Sequence, residues 1–146
     1  MSRLLIACAL AAVTWVGTAM AAEHEVQMLN KGPDGQRNWF EPPVVYAEPG
    51  DTIKFVVVDK GHNSSSVVIP DGAEPWKGKL SQDTSVTLDV AGLYSYKCTP
   101  HFGLGMVGLV VVGDASVNLD AVEGGKYPGR AKKVLADLLK DVKAGM

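Results

Sequence analysis

The chain has 146 residues, 47% of them hydrophobic, with 14 basic and 16 acidic side chains and a formal charge of −2. A nearly neutral chain with no basic run and no glycine-rich phosphate loop is not built to bind nucleic acid or a nucleotide.

Arg3, the apolar run from Leu4 to Val16 and the small-x-small triplet Ala19-Met20-Ala21 read as a secretory signal peptide, residues 1–21, cleaved after Ala21. The run is too short to span a bilayer and then anchor, so no membrane anchor is expected. Leu5-Ile6-Ala7-Cys8 has the look of a lipoprotein signal but comes with almost no apolar segment before it, so lipidation is not expected. Residues 22–146 remain, about 125 residues with 13 basic against 16 acidic side chains and a formal charge of −3, the size of one ordinary domain. Leader removal also takes away Cys8 and leaves Cys98 as the only cysteine. The compartment beyond the membrane is oxidising. A lone cysteine there pairs between chains, lies buried and inert, or binds a metal.

Glu23 to Leu29 alternates, with Val26 and Met28 on one face, and predicts a first strand. Asn30 to Gly35 is a turn cluster, and Phe40 with Val44 to Ala47 predicts a second extended segment interrupted by Pro42-Pro43. Glu48-Pro49-Gly50-Asp51 carries the type II turn signature. Thr52 to Asp59 is a β-branched and aromatic strand that ends in the loop Lys60-Gly61-His62-Asn63. Ser66 to Ile69 predicts a short strand, Pro70 to Pro75 a turn-rich excursion, and Thr84 to Val90 a further alternating strand. Leu93 to Cys98 alternates again, and Met106 to Val112 is an apolar run suited to a strand buried on both faces. Short strands separated by Gly and Pro turns predict a β-sandwich up to about residue 113. A helical extension over 115–146 follows. Ala115 to Val122 is a weak helix, whereas Ala131 to Val142 sets Val134, Leu135, Leu138, Leu139 and Val142 on one stripe.

The chemistry is concentrated in Cys98-Thr99-Pro100-His101-Phe102-Gly103-Leu104-Gly105-Met106. A thiol, an imidazole and a thioether lie between the ends of two predicted strands, and His62 supplies a second imidazole if the Thr52–Asp59 strand lies beside the Cys98 strand. One Cys and two His with a weak axial Met are the donors of a blue-copper electron-transfer site, and the trigonal set serves Cu(I) and Cu(II) with little rearrangement. Zinc gains little from the thioether, and iron–sulfur ligation is excluded by the cysteine count. Taken singly, each donor has a plainer reading: His62 as a loop histidine bonded to backbone, His101 as a surface residue, Met106 as core packing. His24, between Glu23 and Glu25, is expected to be a solvated surface residue.

These residues resemble the cupredoxins. The resemblance is carried by Met28-Leu29-Asn30-Lys31-Gly32, Val58 to Asn63, Ile69 to Glu74, Tyr96 to His101, Gly105-Met106 running into Val112-Gly113-Asp114, and Asn118-Leu119-Asp120. It covers essentially all of residues 22–146. Plastocyanin and amicyanin look similar around the copper but lack the C-terminal helical extension. The resemblance implies a mainly β Greek-key β-sandwich with two C-terminal α-helices. It implies one copper ion on His62, Cys98, His101 and Met106, Asn63 as a brace between the ligand loops, and a backbone N–H from Thr99–His101 on the thiolate. It also implies a periplasmic, monomeric electron carrier with transient redox partners, among them copper nitrite reductase and c-type cytochromes, and no catalytic site. Two departures stand out: Ser64 to Val68 is about two residues shorter than is usual, and Pro33 to Trp39 slightly longer.

An apolar patch of Pro100, Phe102, Gly103 and Leu104 around His101, ringed by Lys31, Lys60, Lys77 and Lys97, is expected to steer an acidic partner. A copper buffer or chaperone is the alternative, although four mixed donors closed into a sandwich favour retention. A fragment of a copper oxidase would need more histidines than His24 alone.

Overall fold

The computed structural model describes residues 20–146; the predicted signal peptide, apart from Met20 and Ala21, lies outside them. Eight strands form two four-stranded sheets: β1 Glu23–Lys31, β2 Arg37–Glu41, β3 Val44–Ala47, β4 Asp51–Val57, β5 Ser65–Val68, β6 Thr84–Leu88, β7 Gly92–Lys97 and β8 Val107–Val112. The strand orders are β2-β1-β4-β6 and β3-β8-β7-β5. Pairs β1–β4 and β3–β8 are parallel, and the other neighbours are antiparallel. A 3-10 turn over Ala115–Val117 and two helices, α1 Leu119–Glu123 and α2 Arg130–Ala144, complete the chain.

Residue alternation decides what each face meets. Val26, Met28, Phe40, Ile53, Phe55, Tyr94, Tyr96, Val110 and Val112 fill the space between the sheets, where Phe40, Phe55 and Tyr96 meet edge to face. Leu93, Leu109 and Val111 point the other way and are covered by Ala131, Leu135, Leu138, Leu139 and Val142 of α2. Every residue of β8 is therefore buried, as its unbroken apolar run requires.

Three expectations change. The second extended segment is two strands in different sheets, with Pro42-Pro43 carrying the chain from one sheet to the other. The Pro33–Trp39 loop is partly strand, since β2 begins at Arg37 and pairs it with Lys31. The weak helix over 115–122 is broken at Asn118, whose φ of −142° is not helical. Asn118 instead extends the sheet with its side chain: Leu93 N–H donates to Oδ1 at 2.7 Å, and Nδ2 donates to Leu93 O at 2.9 Å. The type II turn forms as predicted, with Gly50 at φ +96° and Asp51 N–H donating to Glu48 O at 3.0 Å.

Candidate metal centre

Cys98 follows β7 and Met106 precedes β8, a hydrogen-bonded antiparallel pair, so both stand at the same end of the sandwich. Cys98 N–H donates to Met106 O at 3.0 Å, and Met106 N–H donates to His101 O at 3.2 Å, which closes the segment into a tight loop. Thr99–Leu104 winds as a 3-10 turn and ends at Gly105 with φ +98°. A side chain there would be strained, and its Cβ would come within 3.1 Å of Val134 and 3.3 Å of Arg130 on α2.

His62 arrives differently from the expected route. The β4 strand that leads to it belongs to the opposite sheet, across the sandwich from β7. The strand beside β7 is β5, which follows His62, and its register sets Ser65 opposite Lys97. Residues 58–64 thus cross between the sheets and deliver His62 at the edge of the Cys98 loop. Asn63 holds the crossing in place: Thr99 N–H donates to its Oδ1 at 2.7 Å, while its Nδ2 donates to Gly78 O at 2.9 Å and Thr99 Oγ1 at 3.1 Å.

The donors converge. Cys98 Sγ lies 3.4 Å from His101 Nδ1 and 3.7 Å from His62 Nδ1, and the two Nδ1 atoms are 3.1 Å apart. Such edges fit a triangle around an ion held at bond lengths of about 2.0–2.3 Å, and thiolate and imidazole both suit copper. Cys98 and His62 are buried and His101 is half-exposed. Met106 is fully buried beside them in the inter-sheet core.

Two features set the protonation of this group. His62 Nε2 lies 2.9 Å from Asn30 Oδ1, so Nε2–H donates to the amide oxygen and Nδ1 keeps its lone pair for a metal. From the sequence Asn30 is a turn residue and part of a segment that carries the family resemblance, with no ligand-bracing role of its own. Its role needed the β1–β4 pairing to bring the end of β1 to the ligand loops. Burial pushes the Cys98 thiol up, opposed by backbone N–H groups of Asn63 and His101 that favour the thiolate. Burial also lowers the His62 imidazole, with the neighbouring His101 adding to the effect and Asp59 opposing it. The lowered His62 imidazole stays neutral and free to bind a metal, whereas the raised Cys98 thiol must lose its proton to do so, which makes metal binding proton-releasing.

His24 is not a freely solvated residue. Its Nε2 lies 2.8 Å from Asp51 Oδ2 at the far start of β1 and β4, remote in sequence from the donors. Around the donor loop, Leu104 is 55% exposed, Phe102 is half-buried, and Lys97 Nζ stands 4.7 Å above the Phe102 ring. A cleft beside Leu104 is lined by Arg37 and Arg130, two cations not anticipated from the sequence.

A two-sheet sandwich with a Cys-two-His cluster on strand-end loops defines a cupredoxin. The model of the copper-binding plastocyanin/azurin family matches residues 26–113, and the chain belongs to that family. Within it the relatives at 42–49% identity are pseudoazurins, while plastocyanins match at 32–34%. The chain is 49% identical to a pseudoazurin of Paracoccus pantotrophus over 88% of this chain and 90% of that one. It is 42% identical to a pseudoazurin of Methylorubrum extorquens over 96% and 97%. The solved structure of a Sinorhizobium pseudoazurin superposes with a TM-score of 0.82 at 47% identity, covering 86% of this chain and 99% of that one. Like that family, the protein uses copper, carries electrons and is not an enzyme.

Proposed function

We propose that this chain is a periplasmic single-electron shuttle in which His62, Cys98, His101 and Met106 hold one copper ion. The convergence of Cys98 Sγ and two Nδ1 atoms within 3.7 Å carries the reading. Copper, when bound, supplies a one-electron couple whose two states this donor set accommodates with little rearrangement. The protein keeps the donors fixed. Asn63 ties the His62 and Cys98 loops together, Asn30 fixes the His62 tautomer, and Gly105 lets α2 press on the ligand loop. Cys98 gives up its proton on metal binding, and its thiolate is then steadied by the N–H groups of Asn63 and His101. His101 is the half-exposed ligand, set among Pro100, Phe102 and Leu104, and this apolar face is where a partner meets the site.

The export reading rests on Arg3, the apolar run and Ala19-Met20-Ala21, with cleavage of residues 1–21 and residues 22–146 as the working domain. No helix among the described residues is long and apolar enough to cross a membrane. A monomer meeting its partners transiently suits this role, with copper nitrite reductase and c-type cytochromes as the partners the family resemblance brings. Lys97 over Phe102, with Arg37 and Arg130 by Leu104, gives the face a positive rim that would steer an acidic partner. The test is the bimolecular electron-transfer rate to an acidic redox partner across an ionic-strength series. The rate falls as salt rises, and a rate independent of salt would contradict the steering.

A further inference from the structure

At the end of the sandwich where β1 and β4 begin, Asp51 is a buried carboxylate, with the residue 6% exposed. Three donors meet it: Ala22 N at 2.8 Å on Oδ1, and His24 Nε2 at 2.8 Å and Glu48 N–H at 3.0 Å on Oδ2. Thr52 N–H donates to Ala22 O at 2.9 Å, so Ala22 is held on both its backbone groups. Ala22 is also the residue that follows the small-x-small triplet Ala19-Met20-Ala21. The sequence thus sets a cleavage point against a carboxylate that already binds the nitrogen cleavage would free.

We propose that Asp51 is the receptor for the processed N-terminus of this chain, an ammonium–carboxylate clamp created by cleavage between Ala21 and Ala22. The proposal rests on the export reading above and is independent of the copper chemistry. Hydrolysis by a signal peptidase adds water across the Ala21–Ala22 amide, leaving a carboxyl on Ala21 and an amine on Ala22 that takes up a proton near neutral pH. A backbone N–H donated to a carboxylate becomes an ammonium donated to it, so both partners of the 2.8 Å contact then carry charge. The clamp fastens the start of β1 to the start of β4, whose parallel register begins with Glu23 opposite Thr52. Processing then does more than release the protein: it adds a charge to a contact that already fastens the first strand pairing. The other charged groups around this end are Glu23, His24 and Glu25 from β1, Glu48 from the turn, Lys54 opposite Glu25, and Asp89 beyond the Leu88 that pairs with Asp51.

The experiment uses the exported, copper-loaded protein. Its intact mass reports the terminus, and 15N NMR follows the titration of the α-amine. A terminus at Ala22 with an amine at least tenfold weaker as an acid than the ordinary α-amino group, whose pKa is about 7.7–8.0, supports the clamp. Asp51→Asn should return the amine to the ordinary range while leaving the copper absorption unchanged. Because the folded-state value is raised, the stabilisation is complete below the ordinary pKa and is lost as pH rises through the folded one. N-terminal acetylation should therefore lower Tm near pH 6.5 and make no difference at high pH, a comparison that stands even if Asp51→Asn does not fold. A mass placing the terminus elsewhere overturns the clamp through its cleavage point. A normal α-amine, or an acetylated chain equally stable at pH 6.5, overturns it with the cleavage point intact.

Discussion

Asn63 and Asn30 do at residue scale what a metal cannot do for itself, which is to hold its ligands in place beforehand. Asn63 satisfies the Thr99 N–H and donates to the buried Gly78 carbonyl as well, so its truncation removes the Asn63 donor from a buried acceptor and frees the Cys98 loop. Asn63→Ala should destabilise the protein by about 1–3 kcal/mol in chemical denaturation. Asn30→Ala frees the His62 ring and should weaken copper binding by about 10–100-fold in a competition titration, with little change in fold. Tyr96 points the other way. Its hydroxyl is fully buried with no hydrogen-bond partner. Tyr96→Phe keeps the ring that packs on Phe40 and Phe55 and should raise stability by about 1 kcal/mol in the same assay.

The elements show what local pattern can and cannot carry. Residues Met106 to Val112 declare a doubly buried strand by composition alone, and the stripe on Ala131–Val142 declares the helix that covers one of its faces. Which sheet each strand joins was not legible, because sheet membership depends on pairing between distant segments. That is why His62 was expected beside Cys98 through β4, whereas β5 makes the approach. The four donor residues could be picked out from their chemistry, but Asn30, Arg37 and Arg130 could not, since nothing in a lone Asn or Arg announces a distant neighbour. Leu138 tests the role of α2. It is 7% exposed, against the outer face of the β8 sheet, and Leu138→Ala should cost about 2–4 kcal/mol. The copper absorption should be retained, because α2 touches the ligand loop through Arg130 and Val134 at its other end.

For the molecule as a whole, the two sheets divide the labour. One end of the sandwich gathers the donors and a half-exposed imidazole, while the start of β1 and β4 is closed by Asp51. The Asp51 carboxyl is held down at about 2 by the Glu48 N–H, His24 and the Ala22 N–H, and Asp137 reaches about 2 through Lys133 and Lys140. Both folded-state values lie below the ordinary 3.8. The stability they contribute is therefore complete above about pH 4 and is lost as pH falls towards 2. Acid unfolding followed by circular dichroism should begin at higher pH in Asp51→Asn than in the parent protein. The copper centre is tested most directly by the visible spectrum of the protein after addition of Cu(II), beside that of Cys98→Ser. An intense thiolate-to-copper charge-transfer band in the parent that vanishes in the variant is the predicted result. A parent protein without the band, or a band that survives loss of the Cys98 sulfur, would contradict the account.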